Sequence, residues 1–194
     1  MINVKIKHLL IALGMVATLA GCEEGDLVLE DISVEEVEET VDAEEVIPSS
    51  APIEEVEMPL TDDDIVYIEI LNKCKDMNAE TLDNVALLLG QYQSDTTISN
   101  NQEYVGDFQA NILKLSLVHA LLKDMEETSS VPVKFIQSHA KFITIFELQI
   151  ESYSSTLNGI IKADSDLIDY GADKMNQTNV LLEEFDSEVR SIIN

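Results

Sequence analysis

The chain has 194 residues, with 38 Asp and Glu against 11 Lys and Arg, a formal net charge of −27. That length predicts one domain with appendages, and an apolar content of 45% is enough to build its core. Nucleic acid is excluded as a natural partner, because phosphate contacts need Lys and Arg. Two cysteines exclude a disulfide-rich scaffold.

The first 22 residues read as an address. Lys5, Lys7 and His8 form a short basic region, and Leu9 to Leu19 an apolar stretch of 11 residues. A helix needs about 20 apolar residues to cross a bilayer, so this stretch is too short to span one and has the length of a signal-peptide core. Leu19-Ala20-Gly21-Cys22 follows at once. This order of features resembles the lipobox of bacterial lipoproteins. The resemblance covers residues 1–22 only and implies cleavage after Gly21, a covalent lipid on Cys22, and residence at the bacterial cell membrane or outer membrane with the domain outside the cytoplasm. Several acyl chains, at ~0.8 kcal/mol per buried CH₂, make such anchoring stable.

Residues 22–60 read as a tether. They hold 15 acids and no Lys or Arg, and Pro48, Pro52 and Pro59 punctuate the end. Self-repulsion and the lack of aromatics oppose collapse, so the segment is predicted to be disordered. Fully extended, its 39 residues reach at most ~130 Å at ~3.3 Å per residue. A spacer and a docking strip for a basic partner are both consistent with this composition.

From Thr61 on, 23 acids stand against nine bases, and Pro132 is the only proline. Apolar residues step by three and four, which predicts an all-α domain over 61–194. Thr61 followed by Asp62, Asp63 and Asp64 is a helix start, since a capping hydroxyl and acids both suit the positive end of the macrodipole. The first stripe is Ile65, Ile68, Leu71, Cys74, Leu82, Val85, Leu89 and Tyr92. Ser94 to Asn101 is polar and predicts a loop. The second stripe is Tyr104, Phe108, Ile112, Leu115, Leu122 and Met125, followed by a turn over Glu126 to Ser130. Ser130 before Val131-Pro132 predicts a cap with proline in the first turn. The third stripe is Ile136, Ile143, Phe146, Ile150, Tyr153 and Leu157.

Asn158-Gly159 predicts a helix end, and the fourth stripe is then Ile161, Ile168, Met175, Leu182, Phe185, Val189 and Ile192. Four helices of similar length predict an antiparallel bundle. The heptad phase also runs from Leu157 to Ile161 without a skip, so the alternative is three helices, the last a coiled-coil arm of ~60 residues and ~90 Å at 1.5 Å per residue.

Candidate chemistry is thin. No phosphate loop, His-Glu-x-x-His, Cys-x-x-Cys or nucleophile elbow occurs. Asp164, Asp166, Asp169 and Asp173 lack the glycine and closing Glu of a calcium loop, and a solvated acidic face explains them better. A hairpin turning near Ser129 would set His119 opposite His139, with Cys74 within a turn or two. That set offers soft ligands for zinc or copper, but no fourth ligand is evident and packed histidines are the commoner outcome. Cys74, between Lys73 and Lys75, reads as a small core residue, with a low-pKa thiol or an intermolecular disulfide as the sharper alternatives. Tyr153, Tyr170 and Met175 lie on helical stripes and read as core.

The expectation is therefore a lipid-anchored envelope protein, not an enzyme, without catalytic residues or a cofactor beyond the lipid at Cys22. Its domain would act through contacts with a protein partner or with itself. The alternative is a sensory bundle holding a small ligand or metal between its helices.

Overall fold

The computed structural model describes residues 59–193, so the leader, Cys22 and nearly all of the acidic segment lie outside the described residues. Helix α1 runs Asp62–Ser94 and opens on a complete capping box. The Asp64 N–H donates to Thr61 Oγ1 at 3.3 Å, and the Thr61 N–H donates back to Asp64 Oδ2 at 2.7 Å. Asp64 is buried, and Lys134 Nζ lies 2.8 Å from its Oδ2. Burial alone would raise the Asp64 pKa; Lys134 and the Thr61 donors outweigh it and hold the carboxyl below its ordinary value. This ion pair ties the start of α1 to the connection that precedes the third helix.

The predicted loop after α1 contains a single 3₁₀ turn, Thr96–Asn100. Asp95 Oδ1 caps it by accepting from the Thr97 N–H at 2.9 Å, and Ile98 packs on the core. Helix α2 runs Gln102–Glu127, capped by Asn101 through the Glu103 N–H. It ends with Ser129 in the left-handed region at φ 56°, where the Ser130 N–H reaches back to Met125 O at 3.0 Å.

The predicted cap at Ser130 does not form. Pro132 instead precedes a 3₁₀ turn, Val133–Phe135, and α3 runs Ile136–Lys162 without a side-chain cap. Burial of Phe135 decides this, because it fills the core while Lys134 is drawn to Asp64. Ile136 is thereby turned out to solvent, against its place on the predicted stripe.

Helix α4 runs Ser165–Ile193. The chain breaks at Ala163, φ 51°, with the Asp164 N–H donating to Gly159 O at 2.8 Å. The break falls a turn later than Asn158-Gly159, and the single long arm does not exist. Gly159 serves close packing and not the cap: a Cβ there would lie 2.7 Å from Ile168 Cγ1 and 2.8 Å from Asp164 O. Asp164 Oδ1 accepts from the Asp166 N–H at 2.9 Å, so the acidic cluster begins as a helix cap.

The four helices form an antiparallel bundle. Glu80–Lys114 links α1 to α2 at 2.8 Å, Glu151–Lys174 links α3 to α4 at 3.0 Å, and the Lys75–Asp186 side chains reach from α1 to α4 at 2.9 Å. Exposed pairs of this kind add little stability, but they record the register. The core is continuous and aromatic at its centre: Phe142 stacks on Phe185 at 4.5 Å, and Phe108 meets Tyr153 edge-on at 6.4 Å. Three further stripe positions are corrected. Ile65 and Ile161 are exposed, and so is Tyr170, whose hydroxyl donates to Glu151 while its ring lies under Lys174. At the α1 start the inward positions are Asp64, Tyr67 and Ile68.

Candidate functional site

The residues singled out for metal binding do not meet. His139 is buried between helices. Its Nε2 lies 2.9 Å from Leu122 O and its Nδ1 2.8 Å from Tyr67 Oη. A carbonyl only accepts, so Nε2 carries the proton and Nδ1 accepts from the tyrosine. Desolvation lowers the His139 pKa; the Leu122 bond and Glu126 oppose that, and Lys123 adds to it. His119 sits at the outer edge of α2 and pairs with Glu147 at 3.2 Å. The hairpin is shifted by nearly a turn from the predicted register, so His139 faces Leu122 and not His119. Among the described residues no group of three His, Cys, Asp or Glu is placed to hold a metal. Cys74 is buried, and burial pushes its thiol up to about 11, the reverse of a reactive thiolate.

Sequence reasoning missed Tyr67, which completes the His139 node, and it missed the outer face of α2. The inner face of α2 follows Tyr104, Phe108, Leu115, Val118, Leu122 and Met125. A second series, Gly106, Ala110, Leu113, Leu117 and Ala120, runs along the opposite side at alternating intervals of four and three. Leu113 is 60% exposed, Leu117 62% and Leu121, beside them, 48%. Between Asp107 and Lys123 the one Lys, Arg, Asp or Glu in α2 is Lys114, and it is paired with Glu80. Some 22 Å of helix, at 1.5 Å per residue, thus presents an uncharged seam to solvent. A helix apolar on both sides is the kind that is buried on both sides. The apolar surface continues onto α1, where Leu87 borders a shallow groove with Ala110 and Lys114 and a second with Gly90 and Ile98. The missed signal lay in plain view, since Leu113, Leu117 and Leu121 are spaced by four; a single stripe had already accounted for the helix.

A third feature lies inside the bundle. Asn78, Asn111, Gln149 and Thr178, one from each helix, are buried in the middle part of the bundle, and the ion-pair register spreads them over about two turns. Both amide atoms of Gln149 lack a hydrogen-bond partner among the described residues, as do the Oδ1 atoms of Asn78 and Asn111. Such groups cost stability when left unmade.

Among the described residues no helix is long and apolar enough to cross a membrane. Comparison of the chain with protein-family models, with curated proteins and with solved structures finds no match.

Proposed function

We propose that this chain is a bacterial lipoprotein, anchored through lipid on Cys22, whose helical domain works outside the cytoplasm by binding protein. The observation that supports contact as its mode of action is the uncharged leucine seam on α2, set on a bundle whose core is already filled by its own helices. The anchor rests on Leu19-Ala20-Gly21-Cys22 after a short apolar stretch. The acidic segment then acts as the spacer that lets the domain search for a partner near the membrane.

Two measurements on the full chain in bacteria test this. Cys22→Ser should leave unprocessed precursor that no longer partitions with membranes; normal anchoring overturns the lipoprotein reading. A photoreactive residue at position 117 should capture protein, whereas one at exposed Val180 on α4 should not. Equal capture at both sites removes the contact reading.

The buried polar layer favours a second reading, a bundle that holds a small, uncharged, hydrogen-bonding molecule at mid-height. Gln149→Leu decides it. If the layer binds nothing, removing an unpartnered amide raises stability by about 1–2 kcal/mol in a denaturant titration. If it holds a ligand, native mass spectrometry of the wild-type chain shows an adduct that the variant lacks.

A further inference from the structure

The outer seam of α2 is self-complementary, and from this we infer that its occupant is the same seam of a second copy, packed antiparallel about a two-fold axis near residue 115. This names the partner within the contact reading above and rests on that reading. Antiparallel pairing about that axis sets Leu113 against Leu117 of the other copy and Ala110 against Ala120, with Leu121 opposite Gln109. Gly106 lies open, with nothing within 4 Å of where a Cβ would be, and lets the helix ends approach. A two-fold interface pairs each position with its symmetry mate in the other copy, and a face suits such pairing when the two members of each pair fit one another.

Charge points the same way. The domain carries nine bases against 23 acids, so two copies repel over most of their surfaces. Other outer faces of the bundle are charged: α1 shows Glu69, Asp76, Glu80 and Asp83, and α4 shows Asp166, Asp173, Glu183 and Glu184. The α2 seam lets two acidic domains meet with no carboxylate of α2 itself between Asp107 and Lys123. Lys114 comes nearest its own counterpart there, and each is neutralised by its own Glu80. A seam of four turns is small beside the ~800 Å² per partner of a stable dimer in solution. The pairing therefore draws on the high local concentration of chains held on one membrane.

The test uses the full-length chain expressed in bacteria. Ser116, partly exposed beside the axis, is replaced by Cys, and the covalent dimer formed by a short bis-maleimide crosslinker is measured. The expected result is a dimer band at Ser116→Cys at least fivefold above that at Val180→Cys. Leu113→Glu or Leu117→Lys, each added singly, should abolish it. The two together in one chain should restore it, because antiparallel pairing sets each Glu against a Lys of the other copy. No dimer at Ser116→Cys, or no rescue by the double variant, overturns the inference. If position 117 still photocaptures a different protein, the contact reading survives; if it captures nothing, both fall.

Discussion

Gly171→Ala is expected to destabilise the bundle by about 2–3 kcal/mol, although alanine is the better helix former by ~1 kcal/mol. A Cβ at position 171 would lie 2.7 Å from Ser152 O and press on Thr156 Oγ1. The obstacle at Ser152 is backbone, which cannot rotate away. The same crossing carries the buried bond from Ser152 Oγ to Gly171 O at 2.7 Å, which any separation of α3 and α4 would break. Gly159 repeats the arrangement at the end of the hairpin, against Ile168 and Asp164 O. Gly90 supplies the control. It lies within α1 with nothing within 4 Å of its Cβ position, so Gly90→Ala should stabilise by about 0.5–1 kcal/mol. Urea titrations of the two variants should thus shift in opposite directions. A stabilised Gly171→Ala chain would mean that α3 and α4 stand further apart than the structure has them.

The helical class was legible because every element repeats apolar residues at three and four, and helix starts such as Thr61-Asp62-Asp63-Asp64 combine a cap with the right charges. Ends were less legible. The α3 break carries Ala163 in the left-handed region, where sequence reasoning looks for glycine, and the nearby glycine was used for packing instead. The Ile136 error has the same origin: Phe135 and Ile136 compete for one inward position, and only the path set by Pro132 and the Lys134–Asp64 pair decides between them. The two histidines were set opposite one another because hairpin register is invisible until both helix ends are known. A shift of three residues is nearly a full turn, enough to separate His119 from His139.

The α2 seam was overlooked for a different reason. Assigning one apolar stripe per helix presumes that the domain's own core is the whole destination of its apolar residues. Helix α2 violates that presumption, with Val118 and Leu122 facing in while Leu117 and Leu121 face out. Leucines at four-residue steps on a solvent face give the helix itself only propensity and weak i,i+4 contacts, about 0.2–0.5 kcal/mol per pair. A contact surface is the use we propose for such residues.

Lowering the pH from 8 to 5 is expected to cost the wild-type bundle more stability than it costs His139→Gln. His139 is neutral when folded, with its Nε2–H on Leu122 O and its Nδ1 accepting from Tyr67. Burial lowers its folded pKa below the ordinary value, and that direction fixes the sign. The stabilisation is complete above the unfolded pKa of ~6.5 and is lost as pH falls toward the folded value. Between the two values the unfolded chain binds one proton more than the folded chain, and stability falls by about 1.4 kcal/mol per pH unit. Protonation also turns Nδ1 into a donor, so the Tyr67 hydroxyl must redirect its own proton within the core. Glutamine at 139 can still donate to Leu122 O but does not titrate in this range, while the surface carboxylates and His119 are common to both chains. The difference between the two stability–pH curves therefore isolates His139. It should be flat above pH 7.5 and open progressively below 6.5. Parallel curves down to pH 5 would mean that His139 stays solvated and that the Tyr67–His139–Leu122 bridge is not closed in solution. His139→Ala, which orphans both partners, should cost about 3 kcal/mol at pH 8, and Tyr67→Phe about 1 kcal/mol.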